Sequence, residues 1–560
     1  MSNQPARERS VTKKGPDKKR QKAAPVDAST VLKLRWDLHE LPSSQHRAGL
    51  AGLALSVAFL ARKSDRKGVC EIESLDEHTL TLAVDRQGMQ SLFDDVYDAS
   101  LEEQEREKKL QKKRPDGTKV DIEPKYPPTE RVVVDPKTKK EKTRKVFIYD
   151  QVIPRGALVD DWDAGHDGKK LWLKLWRDMI WTTLRGVPTT REPFDARAEG
   201  RAIEDGGDAW DELATKPNST VDLPSTYALG AQAKSAENVA FTDVARLRFL
   251  LNFWPAVVAI YVPAVLQRDG KRKSVGYALA IPDLAALATF VATWEQVARG
   301  RGCEPAGYIP RDAVIDLAAE AGLDVVRRSN ELIVTLQGAS PTRRWLSGVD
   351  IFHVEKEGNN VRLRGIARVI PQRTRDDEYA RVRGASYWSP VFRRQRIINV
   401  LDGEPWWSGF ARLCSTTPDE MTIRHQSFQH DCRLAFTEVE MKESAPETEQ
   451  TLEHLIYRRV QAYVLGKTER KYDLSWQKAQ GNPAHEKEYR ERREKVAREA
   501  FLAVRSRTGA DFVAYFTSTL CSVPQHTSEA KYLEIARALM DPKSAERVRS
   551  LTLLALSAVA

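Results

Sequence analysis

At 560 residues, with a hydrophobic fraction of 41% and thirteen tryptophans, the chain can bury the cores of roughly three to four domains. Five scattered cysteines (Cys70, Cys303, Cys414, Cys432, Cys521) with no CxxC spacing argue against a disulfide framework and against zinc, and for reduced thiols in a cytoplasmic protein. The net charge of +10 is gathered in basic blocks at 1–25, 102–145, 362–396 and 441–560 over an acidic remainder, a distribution that suits a polyanionic partner.

Residues 1–30 hold almost no large apolar side chains and are expected to form a disordered basic tail, with no apolar run of a signal peptide. A strand is expected in VLKLRWDLHEL, then a helix capped by Ser43 or Ser44 whose body, Ala48–Ala61, is apolar all round and therefore buried. Gly49 and Gly52 would let another backbone approach it. Because a helix N-terminus attracts phosphate, Ser44, Gln45 and His46 are candidate backbone contacts, an ordinary cap being the alternative. The charged insertion at about 101–145 reads as an exposed helix over LEEQEREKKLQKKR, followed by a hairpin around a lysine-rich turn. Gly168–Arg185 is helical with a Trp172, Trp176, Met179 stripe facing a core, and 190–225 reads as a long acidic loop.

A helix over FTDVARLRFLLNFW leads to VVAIYVPAVL and SVGYALAIP, two apolar runs that form a hairpin with Lys271, Arg272 and Lys273 at its tip. Pro255 and Pro263 argue against reading Phe249–Leu266 as a membrane span. Helices at 284–299 and 311–321 and strands around ELIVTL and VDIFHVEKEG follow. The class expected is α+β, a large mixed body at 31–440 with an all-helical bundle at 441–560. In the bundle Leu452, Leu455, Ile456, Val460, Tyr463 and Val464 share one helix face, and Asp541-Pro542 starts the last helix.

The most distinctive segment is Val361–Arg396. It carries ten arginines (Arg362, Arg364, Arg368, Arg373, Arg375, Arg381, Arg383, Arg393, Arg394, Arg396) against three acids and no lysine. Guanidinium groups fork onto phosphates and stack on flat rings. Tyr379, Tyr387, Trp388 and Phe392 lie among them, ring types that stack on unpaired bases. Arg362 with Arg364, and Arg381 with Arg383, would share faces if the segment were strand. A nucleic-acid surface is the reading preferred over a merely solvated one.

Catalytic signatures are weak. Gly466-Lys467-Thr468 lacks the first glycine of a phosphate loop, and His166-Asp167 and His430-Asp431, in loop-like sequence, have no helical histidine partner for a metal. No catalytic residue, metal or cofactor is expected. A nuclease or RNA-processing enzyme with an unrecognised site is the main alternative, and a membrane-surface structural protein a further one.

Several phrases occur together: LRWDLHELPSSQHRAGLAGL, KVFIYDQVIPRGAL, LWLKLWRDMIWTTLRGVPTTREPF, FLLNFWPAVVAIYVPAVL with VGYALAIPD, and DFVAYFTSTLCSVPQ with LTLLALSA. In number and order they resemble the large subunit of type I CRISPR surveillance complexes (Cascade), the Cas-eight family in its MYXAN-type variant. The resemblance implies an α+β body and a helical bundle, with no catalysis. It implies partners too: the 5′ end of the CRISPR RNA, double-stranded target DNA and its displaced strand, the backbone and crRNA-end-binding subunits, a small subunit and a helicase-nuclease. It implies recognition of the protospacer-adjacent motif (PAM) and help in R-loop formation. Ser44–His46 and Lys271–Lys273 then become candidate PAM readers. Met441, preceded by Glu438-Val439-Glu440 whose codons can form a purine-rich ribosome-binding run, becomes a candidate internal start for residues 441–560 as a small-subunit-like fragment.

Overall fold

In the computed structural model the described residues are 27 and 29–560, apart from 114–117, 135–140, 164–169, 185–190, 224–227, 230–240, 268–271, 338–344, 359, 386, 443–450 and 524–528. Residues 1–26 and 28 of the basic tail and the His166-Asp167 pair lie outside them. The chain is α+β. Strands Leu32–Asp37, Thr79–Val84 and Cys70–Leu75 form a small antiparallel sheet in that order. Beside it runs α1 (Ser44–Leu60), capped by Ser43, whose side chain accepts from the His46 N–H, and buried on nearly every face. A Cβ on Gly49 would stand 2.3 Å from the Leu250 carbonyl oxygen, and one on Gly52 2.2 Å from that of Phe253. Only glycine lets the Leu250–Phe253 backbone cross the helix so closely.

The central sheet is built from β1 (Ala259–Leu266), β2 (Arg272–Ser274), β3 (Tyr277–Leu284), β4 (Val314–Ile315), β5 (Leu346–Glu357) and β6 (Asn360–Val369). Its order is β2-β1-β3-β5-β6, with β4 parallel to part of β1. The basic hairpin expected from the sequence forms by the antiparallel pairing of β1 with β2 and β3; residues 268–271 lie outside the described residues, and Arg272 and Lys273 are part of β2. β3 pairs β5 from Tyr277–Val354 to Leu284–Leu346. Among the described residues no helix is long and apolar enough to cross a membrane.

Several expectations need correction. Residues 99–106 form a strand, not the start of an exposed helix, in an antiparallel sheet with Glu141–Pro154 and Thr129–Val134. Their charges are answered by cations from neighbouring strands and connections: Arg131 to Glu105 at 2.9 Å, Lys125 to Glu103 at 3.0 Å, Arg155 to Glu102 at 2.8 Å. The acidic 190–225 region holds the helices Arg191–Ala198 and Asp205–Thr215, which bury Phe194 and Trp210. Only Ala245–Leu250 of the expected 241–254 helix is one regular helix. ELIVTL continues α2 (Glu320–Gln337) and is not a strand, because α2, starting at Glu320, carries its helical register through the apolar run; residues 311–315 are a short turn and β4.

From Arg373 onward the described chain is helical: α3 (Arg373–Gly384), α4 (Pro390–Asp402), α5 (Phe410–Thr416), α6 (Gln426–Lys442), α7 (Leu452–Tyr472), α8 (Pro483–Arg505) and α9 (Pro542–Val559), with Gly509–Ser518, Glu529–Met540 and short turns between them. The α7 stripe is buried, and Asp541 caps α9 by accepting from the Ser544 N–H. One hydrophobic cluster joins Phe392, Phe410, Phe428 and Phe436 to Ile456, Val460, Phe501 and Leu554, so the helical core begins well before residue 441.

Charge fastens this helical half to the sheet. Glu320, fully buried, accepts from Arg393 Nη2, from the Tyr379 hydroxyl at 3.2 Å and from the Asp316 N–H at 2.8 Å, with Arg383 at 3.9 Å. Removing one partner of such a set strands the others in a dry site. Glu320→Ala should therefore lower unfolding stability by about 3–5 kcal/mol. Arg381→Ala, which breaks a half-exposed pair with Glu378, should cost under about 1 kcal/mol. Urea denaturation of the two variants measures the contrast.

Asp376 of α3 accepts from Asn330 of α2 at 3.2 Å, and burial raises its pKa to about 6. The folded state holds a proton that the unfolded chain releases near its ordinary value of 3.8. The resulting stabilisation is complete below pH 3.8 and lost as pH rises through 6. Asp376→Asn should accordingly raise stability by about 1–2 kcal/mol at alkaline pH and bring no gain in acid, seen as a Tm difference that grows with pH.

Candidate nucleic-acid interface

The arginine stretch spans one strand and two helices, and the three elements treat their guanidinium groups differently. On the edge strand β6, Arg362 pairs with Glu357 at 3.0 Å, Arg364 with Glu355 at 2.8 Å and also with Glu357, and Arg368 with Asp350 at 2.9 Å and with Asp283. Burial works against the Asp283 charge, but Arg47 of α1 and Arg368 outweigh it and hold its carboxyl below the ordinary value. These strand arginines keep one exposed side while being oriented by carboxylates of the neighbouring strands.

Arg381 and Arg383 lie on α3 and not on a strand, so they point roughly 200° apart instead of sharing a face. Arg381 holds Glu378, while Arg383 turns inward to Asp312 at 3.7 Å and Glu320. Arg375 is half-buried. Arg373, 95% exposed, has only a 4.0 Å approach to Asp377. On α4, Arg393 is committed to Asp316 and Glu320, and Arg396, 4% exposed, to Glu378 at 2.7 Å. Arg394 points out. Of the four rings in the stretch, Tyr379 and Phe392 are core, Tyr387 donates to Glu438 at 3.3 Å, and Trp388 is presented to solvent.

Arg272 and Lys273 of β2 are exposed, and Lys271 lies outside the described residues. Arg272 stands 3.4 Å from Asp316, the carboxylate that Arg393 also holds. Between the β1–β2 hairpin and α4 runs a groove of about 280 Å³ lined by Val265, Arg272, Asp316, Arg394, Gln395 and Met421. Two basic segments far apart in sequence thus meet at one groove, which only the pairing of β1 with β2 and the docking of α4 could reveal.

The start of α1 is closed. Ser44, Gln45 and His46 are buried. Gln45 accepts from the Leu229 N–H at 3.0 Å, and His46 Nε2 lies 2.8 Å from Asp243 Oδ2. These buried side chains hold the 229 and 243 segments. Met441 lies near the end of α6, and its side chain is outside the described residues. His430-Asp431 sits on α6 and not in a loop, and among the described residues no cluster of three His, Cys, Asp or Glu side chains fits a metal ion.

Residues 69–339 match the family model of the type I-B CRISPR Cas8b N-terminal domain, and residues 346–559 that of the type I-B CRISPR Cas8b C-terminal domain. No curated protein matches the chain. The seam between the two matches falls between α2 and β5, where a single sheet continues across it. Between them the matches take in nearly everything from residue 69 onward, and the chain belongs to the Cas8b family, the large subunits of type I-B CRISPR systems.

Proposed function

We propose that this large subunit acts without chemistry of its own within a cytoplasmic Cascade complex. It binds target duplex DNA at the PAM, aids R-loop formation, holds the displaced strand and recruits the helicase-nuclease. Its partners are the 5′ end of the CRISPR RNA, the backbone and crRNA-end-binding subunits and a small subunit. The phrases quoted from the sequence favour the MYXAN-type variant. The observation that carries the reading is the groove where Arg272 and Arg394 meet, with Lys273 and the outward Arg373 as further exposed cations. In guide-directed complexes base pairing reads the sequence, so the protein needs short-motif contacts and backbone charge. Exchange of one duplex for another is nearly balanced in energy, and a few phosphate contacts tip it.

Neutralising Arg272, Lys273, Arg373 and Arg394 together should weaken DNA binding for every sequence. It should also flatten the salt dependence by about 0.7–0.9 log unit for each phosphate no longer neutralised. Arg393→Ala and Arg396→Ala should instead lower stability and leave the slope alone, since those groups are spent inside the protein. Titrations at several salt concentrations separate the two sets, and an unchanged slope in the quadruple variant refutes the groove. If the β1–β2 tip reads the PAM, Arg272→Ala with Lys273→Ala should compress discrimination between correct- and wrong-PAM duplexes by roughly 1–3 kcal/mol for each base edge no longer read.

We also propose that Met441 starts a second product, residues 441–560. In the full chain α5 and α6 pack on α9, so this fragment would carry an uncovered apolar face and require a partner there. Intact mass of the products of the untagged gene should show a fragment beginning at Met441 that disappears when Met441 becomes leucine. Absence of the fragment, or its survival in that variant, rejects the internal start.

A further inference from the structure

Trp388, just ahead of α4, is 63% exposed, against 42% for Trp476. Leaving an indole in water forgoes a large burial gain, so its pose requires a reason. The ring lies flat on His430 of α6, with centroids 3.8 Å apart and planes 1° from parallel. Beneath both sits Asp431, fully buried, whose oxygens accept from the backbone N–H groups of Trp388 at 3.0 Å and Ser389 at 2.7 Å. Its Oδ1 also lies 3.0 Å from His430 Nδ1. A single carboxylate therefore fixes the backbone that carries the indole and the ring that supports it. The result is a rigid, flat aromatic surface backed on one side.

One exposed cation stands on the same helix as the supporting ring. Arg433, three residues along α6 and hence on the His430 side of the helix, is exposed and has no carboxylate partner among the described residues. Burial, together with the charges of Arg433 and Arg490, pulls the Arg493 guanidinium below its ordinary value. Arg493 donates to the Ala560 carbonyl at 3.0 Å, and Arg490 reaches Glu486 at 3.6 Å. A bare ring with an exposed cation one helical turn along suits a ligand that offers both a π-face and phosphates.

We propose that Trp388 is a stacking platform for one unpaired nucleobase, with His430 and Asp431 as its positioning residues and Arg433 taking the adjoining phosphate. This rests on the nucleic-acid reading above and adds a site distinct from the groove. The test uses the full chain with a short mixed-sequence single strand, in DNA and RNA versions, at low salt. Trp388→Ala should weaken binding about tenfold with an unchanged salt slope, and Trp388→Phe should recover most of the loss. His430→Ala should lose part of the affinity, recovered by His430→Phe, while Arg433→Ala should lower the slope by about 0.7 log unit. Replacing one nucleotide at a time with an abasic unit should cost wild type a similar factor at one position and cost Trp388→Ala nothing there. The DNA and RNA arms identify which strand supplies the base. A chain that binds neither strand overturns the platform and the nucleic-acid reading together. Normal, salt-dependent binding by Trp388→Ala, with no sensitive abasic position, overturns the platform alone. So does a Trp388→Ala variant that binds strands normally but loses a protein subunit from the purified complex, which would make this surface a protein-docking face.

Discussion

A carboxylate with no access to water has to be answered by cations and donors, and Glu320 is in that position. Its partners are drawn from both sides of the molecule: Asp316 from the segment that follows β4, Tyr379 and Arg383 from α3, Arg393 from α4. A second buried acid on α2, Asp324, receives the Tyr261 hydroxyl of β1 at 2.9 Å and ion pairs from Arg327 and Arg328. Burial opposes its charge, yet Arg328 and Arg327 hold the carboxyl well below the ordinary range. One helix therefore carries the charges that hold β1 on one side and the helical half on the other. The groove between the β1–β2 hairpin and α4 exists because this joint sets their separation.

The same joint explains why several guanidinium groups of the arginine stretch are turned into the protein. Composition counts cations but not the carboxylates that face them. Asp312, Asp316 and Glu320, which claim Arg383 and Arg393, lie in a segment whose sequence offers no sign of that contact. Periodicity also misleads here. Arg381 and Arg383 would share a face of a strand, and α3 turns them apart. Trp388 was visible as an aromatic among arginines, whereas the ring beneath it comes from α6, where His430-Asp431 resembles a metal motif stripped of its partners.

Elements with a single consistent signal were legible. α1 is apolar on every face and glycine stands where a backbone crosses it; Asp541-Pro542 marks a helix start; two apolar runs flank a basic turn. Ambiguity arose where two periods fit equally well. Dense mixed charge at 99–113 satisfies helical i,i+4 pairing on paper, and in the fold its acids pair with cations from other parts of the sheet and its connections. ELIVTL is short and apolar, and only its attachment to a helix begun at Glu320 decides its state. In 190–225 the glycines and acids hid two helices that are anchored by Phe194 and Trp210, each a single large ring and not a stripe.

The pairing of β3 with β5 has a consequence for how such a chain can vary. Eight rungs, from Tyr277 opposite Val354 to Leu284 opposite Leu346, join strands that belong to different family segments. A substitution that bulges one strand must be matched by a change in the other, so the two segments are constrained to diverge together. Shuffling one of them between distant relatives would bring a foreign edge against a register it did not evolve with, and such hybrids should be rare among natural genes.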